Sequence, residues 1–99
     1  MHILNDIDIL VVGNDYEVIY ADIKNLADIK IISRESYGSI VSEPQDFRSS
    51  RDRKFLVFSN GRPNVLVIDT TDFSATKLLG KWVNSYKRSI YDIEISRNE

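Results

Sequence analysis

Lys54-Phe55-Leu56-Val57-Phe58-Ser59-Asn60, followed after Gly61-Arg62-Pro63 by Asn64-Val65-Leu66-Val67-Ile68-Asp69, is the stretch on which the fold turns. Each half is a short apolar run, and Gly, Asn and Pro separate the two, so the pair reads as consecutive β-strands joined by a tight connection. Four consecutive apolar residues per run leave no polar face, which predicts strands covered on both sides. The pattern continues outward. Ile9-Leu10-Val11-Val12 stops at Gly13-Asn14-Asp15, Val18-Ile19-Tyr20-Ala21 stops at Asp22, and Ile29 to Ile32 forms another run. Tyr91-Asp92-Ile93-Glu94-Ile95 alternates strictly, as a strand with one wet face does. Composition agrees: Ile, Val, Tyr and Phe supply 30 of 99 residues and Ala only three, so local propensity favours strand over helix. The competing signal is Leu79, Trp82, Val83 and Tyr86, which fall at helical spacing and predict either a short helix over 80–87 or, because Gly80, Asn84 and Ser85 interrupt it, a loop.

Laid on itself, the chain shows a period near 46 residues. Asp8 to Asn14 matches Lys54 to Asn60; after one inserted residue, Glu17 to Asp22 matches Asn64 to Asp69, and Ile29 to Ile32 matches Thr76 to Leu79. Pro44 to Asp52 aligns in turn with Ile90 to Asn98. Identities are spread along the unit, at Leu10/Leu56, Val11/Val57, Asn14/Asn60, Val18/Val65, Asp22/Asp69, Lys30/Lys77, Asp46/Asp92, Ser50/Ser96 and Arg51/Arg97. Periods of this size mark repeat architectures. The expected organisation is a single domain over 1–99 with two repeats, about 8–52 and 54–99.

A unit of four short strands in about 45 residues has the size of a propeller blade. Phe47 to Asn60 followed by Asn64 to Thr71 resembles the first three strands of β-propeller repeats of the YVTN and WD-repeat type, without a Trp-Asp or Gly-His signature. The resemblance implies an all-β fold of two four-stranded antiparallel propeller-like blades. It places the start of the first blade at its second strand near Asp8, a complete blade from Pro44 to Leu79, and a lone first strand at Ile90 to Ser96. Because propellers need about four to eight blades, two cannot close a ring, and oligomerisation or a longer parent chain would complete it. The resemblance also implies a binding face built from the loops at Gly13 to Tyr16, Arg34 to Glu43, Ser59 to Pro63 and Gly80 to Ser89.

On that face Lys81, Trp82, Tyr86, Lys87 and Arg88 set two aromatic rings among three cations, a mixture suited to stacking on a sugar or holding an anion. Tyr37 and Arg34 occupy the matching loop of the other repeat, and Arg62 the neighbouring one. Trp82 packed between blades is the plain structural alternative. Small bacterial lectins whose two-repeat chains associate into propellers are architecturally similar, so a glycan is an alternative ligand.

Other chemistry is thin. His2 is the sole His, sits at a terminus expected to fray and has no adjacent nucleophile, which argues against Ser-His-Asp or Cys-His catalysis. Zero Cys and four Gly leave no thiolate zinc cluster and no phosphate-cradling loop, and neither a cofactor nor a metal is expected. Asp6-Ile7-Asp8 resembles the Asp-x-Asp strand of metal-dependent nucleotidyltransferases, the one enzymatic alternative, but the Gly-Ser turn and helix that precede it in that family are absent. The recurring Asp22, Asp69, Asp46 and Asp92 read as turn and strand-end hydrogen bonders. A net charge of −2 provides no field for nucleic acid or membrane, and no apolar run is long enough to span a bilayer. The sequence thus predicts a cytoplasmic, non-catalytic binding or scaffolding module that mediates protein–protein interaction, partnered by itself or by another protein chain.

Overall fold

The computed structural model describes residues 1–61 and 64–83. The described chain is all-β and contains no helix. Strands β1 (His2–Leu4), β2 (Ile9–Gly13), β3 (Val18–Asp22) and β4 (Lys30–Glu35) form one antiparallel meander, and β5 (Pro44–Ser49), β6 (Phe55–Asn60), β7 (Asn64–Asp69) and β8 (Lys77–Val83) form a second. Two expectations are corrected. The first sheet opens with β1, six residues before the expected start at Asp8: His2 pairs with Val11 and Leu4 with Ile9, so the terminus is anchored and not frayed. The expected helix or loop beginning at Gly80 is instead the end of β8, with Gly80, Lys81 and Trp82 paired to Val67, Leu66 and Val65. Backbone pairing to β7 outweighs the helical spacing, and the glycine at 80 disfavours a helix on its own account. The expected lone strand at Ile90 to Ser96 lies outside the described residues.

The two sheets share one register. Ile9 to Gly13 pair with Asp22 to Val18, and Phe55 to Ser59 pair with Asp69 to Val65, residue for residue. On the next ladder Asp22 pairs with Lys30 and Asp69 with Lys77, and the register slips at Tyr20/Ala21 in the first sheet and at Val67/Ile68 in the second, the same step of each. The turns correspond as well. The Ile23 amide donates to the Asp8 carbonyl as Thr70 does to Lys54. Asp22 and Asp69 each accept from the amide two residues on, as do Asn25 and Asp72, the side-chain turn that favours Asx residues at these sites.

Alternation along the strands puts successive side chains on opposite faces, and the packing of the two sheets selects the set they share. Leu4, Ile9, Val11, Val18 and Tyr20 of the first sheet and Phe47, Leu56, Phe58, Leu66 and Ile68 of the second make one buried cluster, joined by Val41 from the β4–β5 loop. Phe47 and Phe58 contact ring to ring, and Phe73 of the β7–β8 turn meets the edge of Tyr20 at a centroid distance of 5.5 Å. At Gly13 the strands β2 and β5 come so close that a Cβ would lie 2.8 Å from Pro44 Cγ and 2.8 Å from Pro44 O.

Candidate functional site

Of the loops expected to form a binding face, the described parts of three, Gly13 to Tyr16, Arg34 to Glu43 and Ser59 to Gly61, gather at one end of the sheets, while the fourth, Gly80 to Ser89, is strand β8 as far as Val83 and beyond that lies outside the described residues. The Glu43 amide donates to Asp15 and the Gly61 amide to Glu43, while buried Asn60 holds the 36–43 loop by accepting from the Ser42 amide and donating to the Ile40 carbonyl. The two candidate ligand groups of the 34–43 loop, Arg34 and Tyr37, are however occupied. The Asn14 side chain accepts from the amides of Tyr16 and Glu17 and donates to the Glu17 carboxylate. Arg34 closes on that carboxylate with both Nε and Nη2 and holds it below the usual glutamate range. Tyr37 turns inward: its hydroxyl lies 2.6 Å from that of Tyr20 and 2.7 Å from Thr76 Oγ1, and burial pushes the phenol upward in pKa. It ties the loop to both sheets.

Trp82 lies elsewhere. Opposite Val65, it stands on the face of the second sheet that points away from the first, and it is 58% exposed. It therefore does not pack between the two sheets of the chain, and it is not on Tyr37's side of the second sheet. Lys81, paired to inward-facing Leu66, is exposed on the other side of the strand. Tyr86, Lys87, Arg88 and Arg62 lie outside the described residues.

The opposite end carries what sequence reasoning missed. Arg53, in the β5–β6 turn, forks onto Asp6, in the β1–β2 turn, with Nη2 2.7 Å from Oδ1 and Nε 3.2 Å from Oδ2. This bidentate contact lowers the Asp6 pKa. Beside it a recess of about 380 Å³ is lined by Ile7, Ile9, Arg53, Lys54, Thr70 and Phe73, among others. Asp6 and Asp8 both belong to the turn that precedes β2 and do not alternate along one strand. No group of three or more potential metal ligands exists among the described residues. On β5, Asp46 adopts a left-handed φ of 53° at a register slip and pairs with Arg48 through Oδ1, its other oxygen buried without a hydrogen-bond partner. The signal for the Asp6–Arg53 clamp was present only as two turn residues 47 positions apart, which nothing local connects.

The largest unusual feature is the pair of outer faces. On the first sheet Ile3, Leu10, Val12, Ile19 and Ile31 point away from the core, with Ile3 47% and Ile31 56% exposed. On the second, Phe55, Val57, Val65, Val67 and Trp82 do the same. An antiparallel sheet facing water normally alternates polar residues onto that side. Here the outer side is apolar apart from the edge strands, where Arg34 lies opposite Ile19 and Arg48 opposite Val57. No helix among the described residues is long and apolar enough to cross a membrane. Comparison with known proteins finds no matching family model, no matching curated protein and no matching solved structure.

Proposed function

We propose that this chain is a non-catalytic contact module of the cytoplasm, built of two units resembling propeller blades, that self-assembles and holds protein partners through its sheet faces. The observation that carries the reading is the apolar character of both outer faces, Ile3-Leu10-Val12-Ile19-Ile31 on one side and Phe55-Val57-Val65-Val67-Trp82 on the other. Extended apolar patches on a folded domain mark association surfaces. Tryptophan is among the residues that most often dominate such contacts. A domain of this size also buries a smaller share of its surface than a larger one, so covering two further faces adds substantially to its stability.

Support comes as well from what the polar groups do. Glu17, Arg34, Tyr37, Asn60, Asp6 and Arg53 are spent on holding loops and sheets together, in an arrangement that needs no substrate to explain it. The test is the absolute mass in solution by light scattering, on the native chain and on Ile31→Glu and Trp82→Lys variants. The native chain is expected at an integral multiple of its own mass, and each variant at lower mass with an unchanged far-UV spectrum. A native chain that is folded and monomeric at every concentration overturns the reading.

A further inference from the structure

The two apolar outer faces are not merely similar in character; each is the counterpart of a face already buried inside the chain. Strands β2 and β6 correspond with an offset of 46 residues, and β3–β4 and β7–β8 with an offset of 47, through matched registers and matched register slips. Under that correspondence the first sheet's inward residues Ile9, Val11, Val18 and Tyr20 map onto Phe55, Val57, Val65 and Val67, which are the outward residues of the second sheet. The second sheet's inward Leu56, Phe58, Leu66 and Ile68 map onto Leu10, Val12, Ile19 and Ala21, on the outward side of the first. So the internal seam joins opposite faces of two equivalent sheets. A two-fold arrangement would have joined like faces, and this one does not.

From this we infer that a second copy of this chain docks head to tail, the outer face of its first sheet covering the outer face of the second sheet, in a repeat of the internal seam. The inference rests on the self-association proposed above and specifies its polarity. It also accounts for Leu26, which stands 76% exposed on the β3–β4 turn. In the internal seam the matching residue of the β7–β8 turn, Phe73, meets the Tyr20 ring, and its carbonyl accepts from Ser33 Oγ. Moved on by one unit, Phe73 becomes Leu26 of the incoming copy and Tyr20 becomes Val67. Leu26 is thus the apolar turn residue that reaches over its neighbour's Val67, as Phe73 reaches over Tyr20. Contacts of this heterologous kind either close into a ring or propagate, whereas a two-fold contact pairs a patch with itself.

The chain has no cysteine, so single introduced thiols report the geometry cleanly. Leu26→Cys and Val67→Cys chains are prepared separately, checked for native far-UV spectra, and oxidised with diamide alone and after mixing; each disulfide forms from two thiols as diamide is reduced to the hydrazine. The expected result is a cross-linked dimer from the mixture and none from either variant alone, with the Leu26→Cys/Val67→Cys double variant linking up to the full assembled size. Dimers from a single variant overturn the inference, as does an assembled mixture that yields no cross-link, and both leave self-association standing. A mixture that light scattering shows to be monomeric overturns the inference and the proposed function together.

Discussion

At Gly13 the absence of a side chain is what lets β2 approach β5. Its hypothetical Cβ meets two Pro44 atoms at 2.8 Å and Phe47 Cζ at 3.1 Å, and the nearest of these belong to a rigid ring and to backbone that cannot step aside. Gly13→Val is therefore expected to cost about 1–3 kcal/mol, read as a lower urea midpoint at unchanged slope. An unchanged midpoint would mean that the seam between the sheets is looser than the contact implies. Tyr37 teaches a different lesson at the same scale. Its aromatic ring and hydroxyl in a predicted loop read as a ligand platform, yet the hydroxyl bridges Tyr20 and Thr76 inside the protein. A buried hydroxyl needs partners, and two other hydroxyls in the seam supply them. Nothing in the sequence near residue 37 indicates those partners, because they lie 17 and 39 positions away.

Among the elements, the turns are where local sequence speaks most directly. Asp72 accepts from the amide and the hydroxyl of Ser74, and these bonds hold its carboxyl below the usual aspartate range; Asp69 is held down in the same way by Thr71, and Asp52 by Ser50. A carboxyl whose pKa is depressed by folding binds fewer protons in the native state than in the unfolded one. Its stabilisation is complete above the unfolded value, near about 4, and is lost as pH falls through the folded value. The first sheet places Asn25 where the second has Asp72, which shows that a neutral amide can make the same turn. Asp72→Asn is accordingly expected to retain the urea midpoint at pH 7 and to lose less of it between pH 4 and pH 2 than the native chain, while Asp72→Ala lowers the midpoint at pH 7. A steeper acid loss in Asp72→Asn would contradict the turn assignment. The strand elements were equally legible, since runs such as Leu56 to Phe58 and Leu66 to Ile68 are short and bounded by turn residues. The two elements misread, β1 and the end of β8, are held by a neighbouring strand more than by their own pattern.

For the molecule as a whole, the self-association proposed above carries a dependence on concentration. An assembly that forms only from folded chains stabilises them by mass action, so the unfolding midpoint is expected to rise as protein concentration is raised, and to stop rising in Trp82→Lys. A midpoint that does not change over a hundredfold dilution of the native chain would show that the faces stay wet. The polarity inferred for the contact follows from the same geometry, because the chain already contains one example of how these sheets stack. The candidate binding end, by contrast, contributes order to the monomer: its loops are joined through Glu43, Asn60 and Asp15, and Arg34 is paired with Glu17.

The sequence by itself determined the all-β class, most of the strands and the turn chemistry. These follow from residues within a few positions of one another, through propensity, alternation and side-chain turns. Only the tertiary structure decided which apolar face of each sheet is inside. Because Leu56 and Val57, or Leu10 and Val11, are equally apolar neighbours pointing to opposite sides, alternation is silent on that choice. It is settled by the close approach at Gly13, the Tyr20–Phe73 contact and the Asp6–Arg53 clamp, each a meeting of distant residues.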